Sequence, residues 1–163
     1  MRDAQAGDVP ALVAIKGEGS EAVHHDRLCD AQGFGFRYLV LLVDQEVIGF
    51  ACLVKVRPAY WSDGEDTQHL PHIVDLEVRE TLRGQGYGSE FMRLIERIAK
   101  ADGHDQLFTS VEPEDNPGAY ALYQRLGYRQ IQTEPYLKVW EFIDSGGKAH
   151  HGEDWVVDMV KQF

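Results

Sequence analysis

The residues best suited to chemistry stand between positions 72 and 89. An apolar run, His72-Ile73-Val74-Asp75-Leu76-Glu77-Val78, is followed after a short polar turn by Arg83-Gly84-Gln85-Gly86-Tyr87-Gly88-Ser89. Glycines at 84, 86 and 88 strip the turn of side chains that would keep a large anion from its N–H groups. The first N–H groups of a helix lack intrahelical partners, and the positive end of the helix dipole lies among them. A helix that starts inside this stretch turns it into a cradle for a phosphate or pyrophosphate. Arg83 would fix the turn or add charge to it.

The flanking sequence supplies the elements that such a cradle needs. Tyr87, Phe91, Leu94, Ile95 and Ile98 fall at i, i+4, i+7, i+8 and i+11, one apolar face of a helix. The run from His72 to Val78 reads as a strand. Strict alternation would place His72, Val74, Leu76 and Val78 on one face, and Asp75 and Glu77 on the other.

Upstream, Arg2 to Gly7 reads as the end of a very short first strand. Asp8 caps a helix with Pro10 in its first turn, Leu12, Val13 and Ile15 on its apolar side and Gly17 at its stop. A second helix covers Glu21 to Ala31, closed by Gly33. Phe36 to Val43 and Val47 to Val56 form a hairpin around Asp44-Gln45-Glu46. The connector Arg57 to Pro71 is long enough to have a role, in which Tyr60, Trp61 and His69 could line a substrate mouth; a surface loop without a role is an equal alternative.

Downstream, Asp102-Gly103 breaks the chain before a strand from Gln106 to Glu112. Asn116 caps a helix that has Pro117 at its first position, and Gly127 stops it. Tyr128 to Thr133 and Leu137 to Ile143 read as strands, Asp144 to Glu153 as a loop, and Trp155 to Val160 as a closing strand. This order predicts an α/β (α+β) layered fold in one domain spanning residues 1–163. Its central twisted sheet is mixed and mostly antiparallel, with helices on both faces.

Composition narrows the function. The 163 residues carry 16 Lys+Arg against 27 Asp+Glu, a net charge of −11. That argues against nucleic acid as a partner, because such binding rests on neutralising phosphates. It permits a cationic substrate, with solubility as the plainer reading. Cys29 and Cys52 are too few for a disulfide framework and fit a reduced, cytoplasmic protein. No apolar run approaches the length of a membrane span, and no leader is evident. His69-x-x-His72 and His150-His151 lack further ligands at metal spacing, so no metal is expected.

A dinucleotide fingerprint would need glycine at 89, where Ser89 stands, although Glu112 could serve as its acidic partner. Too few strand–helix units remain downstream for a doubly wound fold, and no Gly-Lys-Ser/Thr makes a P-loop. Two blocks together point elsewhere. Leu76-x-Val78 with Arg83-x-x-Gly86-x-Gly88 resembles the acetyl-CoA-binding motif of the GNAT superfamily of N-acetyltransferases. Asn116-x-x-Ala119-x-x-Leu122-Tyr123-x-x-x-Gly127-Tyr128 resembles its second block. The blocks cover residues 72 to 128; the rest is similar in layout only. Such domains usually begin with a full strand, so the first strand here is expected to be truncated or to start upstream.

The resemblance implies direct acetyl transfer from acetyl-CoA to an amine-bearing acceptor, a small molecule or a peptide, and it allows a homodimer. It implies that Arg83, Gly84, Gln85, Gly86, Tyr87, Gly88 and Ser89 hold the pyrophosphate, with Asn116 touching the cofactor arm. The main-chain groups of Leu76 and Val78 would meet the pantetheine and the thioester carbonyl. Tyr123 takes the place of the general acid; by spacing alone it reads as a core tyrosine. Its reference pKa of about 10 keeps it protonated, ready to donate to a departing thiolate. His72 stands where some members carry a base, and Glu77 is the other candidate, acting through a water. Two other readings stay open: an acyl-CoA-binding regulatory module without turnover, and a dinucleotide-dependent enzyme.

Overall fold

A computed structural model of the chain describes residues 1–33, 35–55 and 71–163. Tyr60, Trp61 and His69 of the long connector lie outside the described residues. Strands and helices in chain order are β1 (Arg2–Asp3), α1 (Val9–Lys16), α2 (Glu21–Asp30), β2 (Phe36–Val43), β3 (Glu46–Val54), β4 (His72–Val78), α3 (Tyr87–Ala101), β5 (Gln106–Val111), α4 (Pro117–Arg125), β6 (Arg129–Gln130), β7 (Tyr136–Ile143) and β8 (Ala149–Gln162). The sheet order is β1-β2-β3-β4-β5-β8-β6, and β7 pairs with β8. Among these pairings β4–β5 alone is parallel, so the mixed, mostly antiparallel sheet expected from the sequence is present.

Each face of the sheet has its own core. On one face Leu12 of α1 and the helix α2 pack over Tyr38, Val40, Phe50 and Cys52. On the other, Phe91, Met92 and Ile95 of α3, Tyr123 of α4 and Leu126 just after it pack over Leu39, Leu41, Leu53 and Ile73. Leu12, Tyr38, Phe50, Phe91 and Ile95 are fully buried. Each such side chain contributes about 1.5–3 kcal/mol of burial free energy.

Several boundaries differ from those read in the sequence. The β2–β3 hairpin turns on Asp44 and Gln45 alone, both with positive φ (48° and 68°), and Glu46 already pairs with Val43. Two left-handed residues match the right-handed twist of the strands that they join. Asp8 stands before α1, but its carboxylate caps no α1 N–H. It accepts from the Gln5 N–H (2.8 Å) and from Arg2 (2.6 and 2.8 Å), fixing the approach to the helix. The strand read as Tyr128 to Thr133 shrinks to Arg129–Gln130.

The largest correction concerns Asp144 to Glu153, expected to be a loop. Strand β8 begins at Ala149, so the Gly146-Gly147 segment is a tight reversal and His150-His151 lie on a strand. Residues 149–156 of β8 pair with β7, and residues 157–162 pair with β5. One strand therefore belongs to the sheet at one end and to a projecting two-stranded arm at the other. The tip of this arm rests on α2, where the Ser145 N–H donates to Asp26 Oδ2 at 2.9 Å.

Strand β4 also departs from strict alternation. Its register against β3 runs Phe50↔Glu77 and then Cys52↔Val74, leaving Asp75 and Leu76 opposite Ala51. Asp75 takes a left-handed φ of 52° at this bulge. The extra residue reverses the faces beyond it. Val74 packs with the α1–α2 core and Leu76 with the α3–α4 core, although they are two residues apart. Glu77 thus shares a face with His72 rather than opposing it.

Candidate active site

The register of β4 with β5 ends at Ile73–Thr109. Past that pair the two strands diverge, and the edge of β4 from Val74 onward faces an open cleft of about 1930 Å3. The cleft passes through the splayed sheet. One end is lined by Arg83, Gly84, Gly86, Ser89 and Asn116; the other by Lys16, Arg27, Asp30, Trp140 and Phe142. Leu76, Val78, His72, Glu77 and Tyr123 line it between them.

At the α3 end the glycines serve two purposes where the sequence suggested one. Gly84 and Gly86 hold φ of 77° and 92°, which a side chain would oppose. Gly88 has no such φ; a Cβ there would touch Leu122 Cδ2 at 3.4 Å, so it lets α4 lie close to α3. The Glu90 N–H reaches the Gly86 carbonyl at 3.0 Å, and the N–H groups of residues 87–89 lie ahead of that bond at the helix mouth. Arg83 donates from Nε to the Val78 carbonyl at 2.9 Å and so ties the turn to the end of β4. Gln85 points back to the Thr81 carbonyl (3.2 Å), and Tyr87 packs against the α3–α4 core. The Asn116 side chain accepts from the Ala119 N–H at 3.2 Å, the N-cap that the sequence predicted.

Tyr123 projects from α4 and is 5% exposed, with its ring 5.8 Å from that of Tyr128. Burial pushes its phenol above the ordinary value, and the Thr109 hydroxyl partly offsets this. It packs in the core and also forms part of the cleft wall.

At the α2 end the chain sets charged side chains against one another. Glu77 accepts from Lys16 Nζ at 3.3 Å. Asp75, at the bulge, pairs with Arg27 of α2 and lies 3.9 Å from Lys16. Burial, then the charge of Arg27, lowers the Lys16 pKa; Glu77 works in the opposite direction. Beneath them His24 is fully buried, with Nδ1 2.6 Å from the Tyr38 hydroxyl. Burial, reinforced by Arg27, brings its pKa down to about 4.

His72 is half-buried, with Nε2 3.4 Å from Ser110 Oγ on β5. On the inner face of the arm, Trp140, Phe142 and His150 form a row of rings, with centroids 6.1 Å and then 4.7 Å apart. The Trp140 Nε1–H donates to Asp154 at 2.6 Å. Gly152 makes room for the indole, since a Cβ there would stand 2.5 Å from Trp140 Cζ2.

The sequence reading missed Lys16, Arg27, Ser110, Trp140 and Asp158 as cleft or network residues. Only Asp158 carried a signal, as a lone carboxylate inside the apolar run Trp155-Val156-Val157-Asp158-Met159-Val160. Among the described residues no group of three or more His, Cys, Asp or Glu side chains could hold a metal ion. No described helix is long and apolar enough to cross a membrane.

Solved structures share this architecture. The ribosomal-protein-alanine N-acetyltransferase of Brucella melitensis superposes with a TM-score of 0.67 at 21% identity, over 99% of this chain and 98% of that one. An N-acetyltransferase of Staphylococcus aureus does so with a TM-score of 0.70 at 18% identity, over 99% and 96%. A GNAT superfamily phosphinothricin acetyltransferase of Sinorhizobium meliloti, in complex with acetyl-CoA, gives 0.64 at 18%, over 99% and 86%. None of the curated proteins matches the chain by sequence. The acetyltransferase (GNAT) family profile matches residues 10–128, from α1 through the second motif block. The chain is a GNAT-family acetyltransferase.

Proposed function

We propose that this acetyltransferase moves an acetyl group directly from acetyl-CoA to a primary amine of a small molecule or peptide. The observation that carries the reading is the continuity of the cleft. The glycine turn at the head of α3, Tyr123, and the candidate bases His72 and Glu77 all line one passage through the splay between β4 and β5.

The pyrophosphate would sit at the N–H groups of residues 87–89, which the left-handed turns at Gly84 and Gly86 expose. Arg83 serves by holding the turn, since its guanidinium is bonded to Val78. The main chain of Leu76 and Val78 faces the splay, where an oriented N–H would stabilise a developing oxyanion by about 2.7–4 kcal/mol. Tyr123 would return a proton to the departing thiolate. Of the two candidates His72 is favoured, because its ordinary pKa of about 6.5 suits a base at neutral pH. An acceptor amine enters from the α2 end; over the whole cleft nine carboxylates outnumber six ammonium and guanidinium groups, which favours a cation.

The test is thermal stabilisation by acetyl-CoA, followed by thiol release with a panel of amines and mass detection of the product. Stabilisation with thiol release on at least one primary amine is the expected result. Stabilisation without release on any amine would leave a CoA-binding module; stabilisation by NAD(H) in place of CoA would overturn the reading.

A further inference from the structure

Asp158 is a buried carboxylate that the transfer scheme above does not use. It is 4% exposed, on the segment of β8 that pairs with β5. Its oxygens accept from Ser110 Oγ (2.6 Å), Gln132 Nε2 (2.7 Å) and the Tyr136 hydroxyl (3.1 Å), and its own N–H donates to Gln132 Oε1 at 3.0 Å. Three side-chain donors on one carboxyl favour its ionised form against the opposing effect of burial. An ionised carboxylate accepts only, so the proton between Ser110 and Asp158 belongs to Ser110. With its hydrogen spent, Ser110 Oγ offers a lone pair to His72 Nε2, 3.4 Å away on the neighbouring strand. The directions of these bonds place a proton on His72 Nε2, aimed at Ser110 Oγ.

We infer that Asp158, acting through Ser110, is a positioning residue for His72, fixing its tautomer and steadying the cation formed when Nδ1 takes the acceptor's proton. The inference rests on His72 being the base. In the step, the ammonium's N–H bond breaks, its electron pair stays on the amine, and the proton bonds to Nδ1. The Nε2–H is retained, and the new positive charge is matched by the carboxylate beyond Ser110. The 3.4 Å contact is long for a neutral pair, and it gains charge assistance once His72 is protonated.

Other titratable groups border this stretch of the cleft. Among the described residues they include Cys52 from β3, Asp75 and Glu77 on the strand of His72 itself, Lys16 from α1, and Arg27 and Asp30 from α2, while Tyr136 from β7 reaches Asp158. Cys52 is held neutral by burial, its pKa raised to about 11. Glu77 is engaged by Lys16, and Arg27 by Asp75. Of these groups Asp158 is the one that Ser110 connects to the imidazole.

The experiment is an NMR titration of His72 in the full chain without ligand, its signal assigned by loss in His72→Gln. Beside it runs the pH dependence of kcat/KM with the best primary amine of the panel. Removing the negative charge withdraws support from the imidazolium. His72 in Asp158→Asn and in Ser110→Ala is therefore expected to titrate about one pH unit lower than in the parent. The ascending limb of kcat/KM should move down with it, and the plateau should fall about tenfold. In the parent the neutral ring carries its proton on Nε2, a preference lost in Ser110→Ala and restored in Ser110→Thr.

Ser110→Ala removes a single hydroxyl, so the test survives if Asp158→Asn fails to fold. An unchanged tautomer and titration of His72 in Ser110→Ala would overturn the relay. If His72 titrates as described but His72→Gln leaves the ascending limb in place, the base assignment fails, and the relay fails with it as a catalytic device.

Discussion

At the α3 end of the cleft the chain works with backbone: two left-handed glycines, a helix start, and a guanidinium spent on tying the turn to β4. At the α2 end it works with side chains drawn from places far apart in sequence. Lys16 meets Glu77, Arg27 meets Asp75, and Trp140 lies against Gly152. The first kind of site depends on conformation and tolerates little variation at the glycines. The second depends on pairs, so either partner can change the shape or charge of the pocket while the sheet stays intact. A common donor with variable acceptors calls for such a division.

The largest expected effect separating the two ends is acid lability beneath the α2 end. Burial holds His24 at about 4 in the folded chain, against about 6.5 when unfolded. The unfolded state then binds the proton more readily, so stability is full above pH 6.5 and falls as the pH drops from 6.5 toward 4. The loss is about 3 kcal/mol. Urea unfolding at pH 7 and pH 4 should show it, with amides of α1 and α2 losing exchange protection before those of α3. His24→Gln should flatten that dependence, and an unchanged slope would remove His24 as its source.

Next in size is Tyr123→Phe, expected to cut kcat well over tenfold, toward a hundredfold, because the proposed general acid is gone. Acetyl-CoA affinity should hardly move; an unchanged rate would return Tyr123 to the core alone. Gly86→Ala should then weaken acetyl-CoA binding about tenfold, since an L-residue at this φ of 92° costs about 1–2 kcal/mol. Calorimetry would show it, with the acceptor KM unaffected. The mildest is Gly152→Ala, which must displace Trp140. It should raise the acceptor KM about fivefold, roughly 1 kcal/mol, with acetyl-CoA affinity intact. Should Gly86→Ala and Gly152→Ala disturb both ligands alike, the division between the two ends would be lost.

The same division explains what could be read from sequence. The cradle was legible because its parts are contiguous: an apolar run, spaced glycines, and an apolar stripe at helical period. Asn116 and Pro117 announced α4 for the same local reason. The faces of β4 were misread because a bulge depends on register with β3, which no pattern within residues 72–78 encodes. Its position at Asp75 is supported by Arg27, 48 residues away. The first half of β8 reads as a loop in the sequence because Gly146, Gly147 and a polar stretch mask it. That stretch is polar because the arm stands away from the core, and Trp155 is 60% exposed. Ser110 and Asp158 meet across two strands, and only the charge within the apolar run hinted at the partnership.

Strand β8 also has a bearing on descent. Every residue that it gives to β5 lies at 157–162, and every residue that it gives to the arm lies at 149–156. Substitutions between 136 and 156 can therefore accumulate without disturbing a β5 pairing. The position after Val156 is a natural splice point for chimaeras: an arm from a relative grafted there would test whether the arm sets the acceptor preference proposed for this end of the cleft.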